Sequence, residues 1–186
     1  MLITHLTEDE KTGVGEFAIP GGVFLSEGHC WAAVAQDGTV RVGIDDFAKK
    51  MIGKIDDIEF PNLGMNITMG QPLFIVKQNN KSIQFKSPVS GQVKKINQEL
   101  ADNISSLDIT SYEKNWICLI DADKLDMELS QLKIGKSAVS FYQDEIEKYS
   151  EKIKNLSKSG EPEILWGELE NLPEKEWYII TSEFFK

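Results

Sequence analysis

A mostly-β fold, a small sandwich or barrel of short strands with helices gathered at the C-terminal end, is what the amino-acid sequence predicts. Three observations carry the prediction. Short apolar runs punctuated by Gly, Pro, Asn and Asp recur at close intervals from Val23 to Ile120, as in small sandwiches and barrels. Asp37-Gly38 and Asn79-Asn80 each lie between two such runs, where a hairpin needs residues that accept left-handed backbone angles. Beyond Ile120 the pattern changes. Val139, Tyr142, Ile146, Tyr149, Ile153 and Leu156 recur at alternating spacings of three and four, a single apolar stripe along a helix.

Taken in order, residues 1–28 read as an extended N-terminal lead-in, broken by Gly13, Gly15 and Pro20-Gly21-Gly22, with Val23-Phe24-Leu25 as a short strand. Residues 29–135 read as the β-domain. Trp31–Val34 and Thr39–Val42 flank the Asp37-Gly38 turn. Asp45 or Asp46 caps a short helix over Phe47–Ile52, and Gly53 ends it. Ile55–Phe60 is the next strand, closed by Pro61 and Gly64. Leu73–Val76 and Ser82–Phe85 form a hairpin around Asn79-Asn80, and Ser87-Pro88-Val89-Ser90-Gly91 turns the chain into Gln92–Ile96. A looser stretch, 97–115, precedes a buried-looking strand at Trp116–Ile120. Leu125, Leu129 and Leu132 suit a helix ending near Gly135.

Residues 136–158 read as the amphipathic helix, with Asp144 and Lys148 as a favourable i,i+4 pair on its outer face. Its stripe is shorter than a coiled coil wants, so packing onto the β-domain is the favoured expectation. Residues 159–186 form an acidic, aromatic tail. Trp166, Leu169, Leu172, Trp177, Phe184 and Phe185 are too apolar for a solvated linker. They are expected to fold back on their own domain, with a partner-binding segment as the alternative.

Hydrophobic residues at 41% with 27% charged are ordinary for a globular domain and exclude a disordered one. Twenty basic residues against 30 acidic give a formal charge of −10, a surface sign that repels phosphate backbones and anionic lipids. Nucleic acid and membranes are therefore not expected partners. No apolar run approaches the ~18 residues of a membrane span, and no secretory signal is visible, so cytoplasm is the default location. Cys30 and Cys118 are isolated and lack a C-x-x-C pattern, the mark of reduced core thiols.

Candidate chemistry is sparse. His29 is a lone histidine, expected to be structural and bonded to backbone, with a cavity-lining role as the alternative. His5 sits near the terminus, where solvent exposure is the expectation. Asp45-Asp46 and Asp56-Asp57 are paired acids without a convergent His, explained by a helix cap and a solvated edge rather than by acid–base or metal chemistry. Gly13-x-Gly15 and Gly21-Gly22 do not open a strand–turn–helix phosphate site. No nucleophile–base arrangement and no metal site emerge, so an enzyme is not expected.

An ordered series of residues nonetheless resembles one family. His29-Cys30-Trp31, Asp37-Gly38-Thr39-Val40, Val42-Gly43-Ile44-Asp45-Asp46-Phe47-Ala48, Gly53, Phe60-Pro61 and Leu63-Gly64 follow one another as in the glycine cleavage system H-protein. Ser87–Gly91, Val93–Asn97, Leu100-Ala101-Asp102-Asn103 and Tyr112–Trp116 continue the likeness, which spans roughly residues 28–135. The resemblance implies a lipoyl/biotinyl-carrier-like flattened β-barrel (a barrel-sandwich hybrid). It also implies a lipoyl group on a lysine at a hairpin tip of the form Glu-Ser-x-Lys-Ala, and no catalysis by the carrier itself. Such an arm shuttles an aminomethyl group among partner enzymes, and tethering raises its local concentration at each.

Counting back without gaps from Ser87-Pro88 places Lys77-Gln78-Asn79-Asn80-Lys81 at that tip. Asn80 then stands at the apparent lysine position and Lys77 replaces the leading acid. Lys81 falls one residue later, where a strand side chain points the other way. The expectation is an H-protein-like chain without lipoate or another cofactor, serving as a protein-binding or scaffold module. The alternative is a lipoyl carrier modified on Lys81. Its expected partners are proteins, glycine-cleavage-type or lipoate-dependent enzymes among them.

Overall fold

The computed structural model describes residues 3–6, 17–108, 112–156 and 166–186, with residues 3–6 and 108 described by backbone alone. Strand β1 (Ile3–Leu6) pairs antiparallel with β2 (Phe17–Pro20). Phe17 and Ile19 of β2 are buried in the main core, so part of the N-terminal lead-in belongs to that core. His5 lies opposite Ala18 in this pair, its side chain outside the described residues, as are Gly13 and Gly15.

The chain continues through β3 (Phe24–Leu25), β4 (Cys30–Val34) and β5 (Val40–Ile44). Val34 pairs with Val40 across the Asp37-Gly38 loop, and Gly38 takes φ 84° there. Helix α1 (Asp46–Ile52) begins at Asp45, whose carboxylate accepts the Ala48 N–H at 2.8 Å. It stops at Gly53, whose N–H bonds the Lys49 carbonyl at 2.9 Å. Then come β6 (Asp57–Glu59), β7 (Asn66–Ile67), β8 (Pro72–Gln78), β9 (Lys81–Lys86) and β10 (Gly91–Ile96).

The stretch 97–115, expected to be loose, holds helix α2 (Gln98–Asp102), capped by Asn97, and a 3₁₀ turn at Ile104–Asp108. Its polar signals turn out to be caps: Asn97 accepts the Leu100 N–H and donates to the Lys114 and Trp116 carbonyls at 2.8 Å each. Strand β11 (Trp116–Ala122) follows. The strands form a six-stranded antiparallel sheet, β3-β4-β5-β11-β10-β7, and a three-stranded one, β6-β8-β9. Alternate residues of both, Val40, Val42, Ile120, Val93, Val76 and Phe85 among them, meet in one core.

The helix expected over Leu125–Leu132 is shorter. Helix α3 covers only Leu125–Leu129, because Lys133 leaves to exchange two 2.8 Å backbone bonds with Leu25. Helix α4 (Lys136–Leu156) carries the predicted stripe: Tyr142, Tyr149 and Ile153 are buried against the β-domain. The expected Asp144–Lys148 pair is replaced. Lys148 instead bridges Glu145 at 3.2 Å and Glu183 at 3.4 Å. The C-terminal segment forms a 3₁₀ turn at Leu169–Asn171 and helix α5 (Glu174–Phe184). Leu169, Leu172, Trp177, Ile180 and Phe184 are buried in the same core, so the tail packs on its own chain. No helix among the described residues is long and apolar enough to cross a membrane.

Candidate functional site at the hairpin tip

The β8–β9 hairpin alternates buried and outward residues along both strands, and Gln78 pairs with Lys81 around the two-residue turn Asn79-Asn80. Asn79 sits at φ 53°, a left-handed angle that Asn tolerates. Its N–H donates to Asp56 at 2.7 Å; that bond, aided by Lys54, holds the Asp56 carboxyl below its usual range. Gln78 points inward and donates to the Ile52 and Lys54 carbonyls at 2.9 and 2.7 Å, tying the hairpin to the end of α1. Lys77 lies on the flank and bridges Glu59 at 2.5 Å. Asn80 is exposed at the apex.

Lys81 points another way. Its Nζ donates to the Glu170 carbonyl at 3.0 Å and the Leu172 carbonyl at 2.8 Å, 5.7 Å from the Trp177 ring centre. Asn79 adds a 2.8 Å bond from its side-chain amide to the Glu170 carboxylate. The backbone of Gly167 lies directly on Gly53, where both residues take positive φ and a Cβ on Gly53 would collide with the Gly167 carbonyl. The C-terminal segment thus lies across the tip and engages its polar groups. An amine donating to two carbonyls is held in place rather than presented to a reagent.

His29 departs from the sequence expectation. It is fully buried at φ 62°, and its partners are carboxylates rather than backbone: Nδ1 to Asp45 at 2.9 Å and Nε2 to Glu145 at 3.3 Å. Phe47 stacks on it at 4.6 Å and Phe141 at 5.4 Å. Of the paired acids, Asp45 therefore does have a convergent histidine, brought to it because the start of β4 lies beside the start of α1, whereas Asp46 accepts the Ala18 N–H and bridges Lys50. Burial alone would lower the His29 pKa, but the Asp45 charge and hydrogen bond, reinforced by Glu145, raise it to about 9. For Glu145, burial pushes upward, yet His29 and then Lys148 bring its carboxyl below the ordinary value. The cluster holds a charged imidazole between two carboxylates inside an aromatic box.

Other polar groups are structural in the same way. Glu128, buried on α3, accepts the Ser90 N–H at 2.6 Å and the Ser90 hydroxyl, pinning the Ser87–Gly91 turn. Cys30 and Cys118 are buried free thiols, and burial pushes Cys118 up to about 12, so neither is a ready nucleophile. Among the described residues no group of three or more His, Cys, Asp or Glu could hold a metal ion.

Comparison with known proteins decides the family. The sequence profile of the glycine cleavage H-protein matches residues 23–145. The chain belongs to the glycine cleavage H-protein family. It is 34% identical over 143 residues to the probable glycine cleavage system H protein of Pyrococcus abyssi, covering 77% of this chain and 98% of that one. The Pyrococcus furiosus counterpart is 35% identical over 128 residues, covering 69% and 95%. The crystal structure of the H protein from Mycobacterium marinum superposes with a TM-score of 0.57 at 22% identity, over 68% of this chain and 98% of that one. That likeness establishes the antiparallel β-rich fold. H-proteins are carriers and not enzymes, normally bear lipoate, and family membership implies contact with glycine cleavage system proteins. The profile match ends at Glu145, so the segment that crosses the hairpin tip lies outside it.

Of the residues singled out from sequence, Asn80 and Lys81 meet at the tip, whereas Lys77 stands apart on its flank. Sequence reasoning missed Glu145 and Glu170. Glu145 lies one position before Ile146 of the apolar stripe, so the buried face of α4 is wider than that stripe. Glu170 carries no local signal at all.

Proposed function

We propose that this chain uses the H-protein fold without a lipoyl arm, as a cytoplasmic protein-binding or scaffold module. One observation carries the reading: both exposed turn residues, Asn79 and Asn80, are amides that cannot be acylated as an amine is, while the neighbouring amine of Lys81 is bound by the Glu170 and Leu172 carbonyls. The tip as it stands does not fit the arm that the family normally bears. In this reading Asn80 occupies the family's lysine position and Lys77 its acidic one. Residues 29–135 form the carrier-type domain, to which residues 1–28, 136–158 and 159–186 are added. Partners are proteins, those of glycine cleavage first among them, because the chain belongs to the H-protein family and keeps its fold.

The test is intact-mass spectrometry of the protein isolated from its native cell. The expected result is an unmodified mass from an extract in which an ordinary H-protein is lipoylated. A lipoyl increment mapped to Lys81 would instead make the chain a carrier displaced by one residue. Lys81→Arg would then abolish the increment and Lys77→Arg would leave it intact.

A further inference from the structure

We propose that residues 170–177 are an autoinhibitory cover, closing a protein-docking surface at the hairpin tip until a partner with matching acceptors displaces them. The inference rests on the reading of the tip as a surface for protein contact. Three observations support it.

The contacts across the tip are of a kind that a partner could reproduce. Two carbonyls, of Glu170 and Leu172, receive the Lys81 amine, and one carboxylate, of Glu170, receives the Asn79 amide. Both tip residues are polar donors on a turn, and the segment answers them with acceptors and the Trp177 ring. The occupant this surface suits is therefore a protein turn offering backbone carbonyls, a carboxylate and an aromatic side chain. The segment supplies that ligand in cis.

The seam is also poorly satisfied. Among the described residues, the buried side-chain polar atoms without a hydrogen-bond partner are Gln78 Oε1, Trp166 Nε1 and Trp177 Nε1. One belongs to the hairpin and two to the segment. Folded proteins pair such groups almost everywhere, because an orphaned buried donor keeps its full desolvation cost. Trp166 packs on the Phe17, Phe47 and Tyr149 rings, away from the tip; Gln78 Oε1 on the hairpin and Trp177 Nε1 beside Lys81 mark the contacts that open at least cost.

The far end of the segment is fastened differently. Glu183 bridges Lys148 and Lys152 of α4, and the Lys148 ammonium lies 4.6 Å from the Phe184 ring centre. Trp166 and Phe184 both pack on Phe47 and Tyr149, so the cover opens between them, over Glu170–Trp177, while these two rings stay seated.

The experiment uses full-length, unmodified recombinant protein and a small amine-reactive acetylating reagent, with site-resolved mass spectrometry. Hydrogen exchange of β10 and β11 amides, read alongside, reports the core. Lys86 and Lys94 are exposed comparators. The expected result is that Lys81 reacts about tenfold more slowly than they do, as a group reached only by local opening. Trp177→Ala and, separately, Glu170→Ala should bring it within about threefold of them while core exchange is unchanged. Glu170→Ala removes a single half-exposed carboxylate and keeps the test valid if Trp177→Ala does not fold. Equal reactivity of Lys81 and Lys86 in the wild type would overturn the cover. So would variants that leave Lys81 unchanged, or Lys81 reacting only in step with core exchange, which would make the segment an inseparable part of the fold. These outcomes concern the cover alone. The native-cell mass separately tests whether the tip carries an arm.

Discussion

Two of the places where the C-terminal segment meets the β-domain are built on opposite electrostatic terms. At the hairpin tip, polar groups near the surface exchange hydrogen bonds, and buried atoms at the seam go unpaired. Around His29, a fully buried charge has both ring nitrogens bonded to carboxylates and aromatic rings on its faces. Phe184 and Phe185 belong to that box, their rings 6.4 and 6.0 Å from the imidazole. A satisfied buried network rigidifies, whereas a partly satisfied one is the first place to give. The same short segment is thus anchored where Trp166 and Phe184 meet the aromatic rings and releasable where it crosses the tip.

The contrast can be broken most forcefully at the anchor. His29→Ala leaves Asp45 an uncompensated buried charge, leaves Glu145 with Lys148 alone, and opens a hole among four aromatic rings. A loss of ~3–5 kcal/mol is expected in urea unfolding. A loss below ~1 kcal/mol would mean that the anchor is ordinary packing.

Titration is the next largest effect. The His29 pKa is raised from 6.5 to about 9, so the folded chain holds that proton more tightly than the unfolded one. Its stabilisation is complete below about pH 6.5 and disappears as pH rises through about 9, a change on the order of 3 kcal/mol. The Glu145 carboxyl, held low, acts oppositely and loses its contribution only in acid. Thermal unfolding between pH 6 and 10 should therefore show a falling midpoint on the alkaline side, and His29→Gln should flatten that fall. An unchanged alkaline slope in the variant would assign it to other groups.

The smallest of the three effects sharpens the releasable stretch. Gly53→Ala puts a Cβ into the Gly167 backbone at a positive φ, with an expected cost of ~1–3 kcal/mol. If the seam absorbs the strain by opening, Lys81 acetylation rises while β10–β11 exchange barely changes. Strain spread through α1 would raise both together.

Local pattern was a good guide where local forces decide. The Asp45 cap, the Gly53 stop, the Asn79-Asn80 turn and the α4 stripe are short-range choices of backbone angle and apolar period, and each is visible in a few residues. The polar residues of 97–115 misled for the same reason, since Asn caps and turns look alike in sequence. Helix α3 was overestimated because a tertiary pairing, Lys133 with Leu25, ends it before its propensity does. His29 was expected to bond backbone because its true partners lie 16 and 116 residues away.

By itself the sequence determined the fold class and the family, because alternation, turn residues and an ordered series of short matches are properties of neighbours in the chain. It also determined that the turn apex is an amide and not an amine. That Lys81 turns into the carbonyls of Glu170 and Leu172, some ninety residues on, was decided only by tertiary structure. So was the charge on His29. A hydrogen bond or an ion pair depends on distance in space, and nothing in the local pattern of a chain records which distant groups folding will bring within 3 Å.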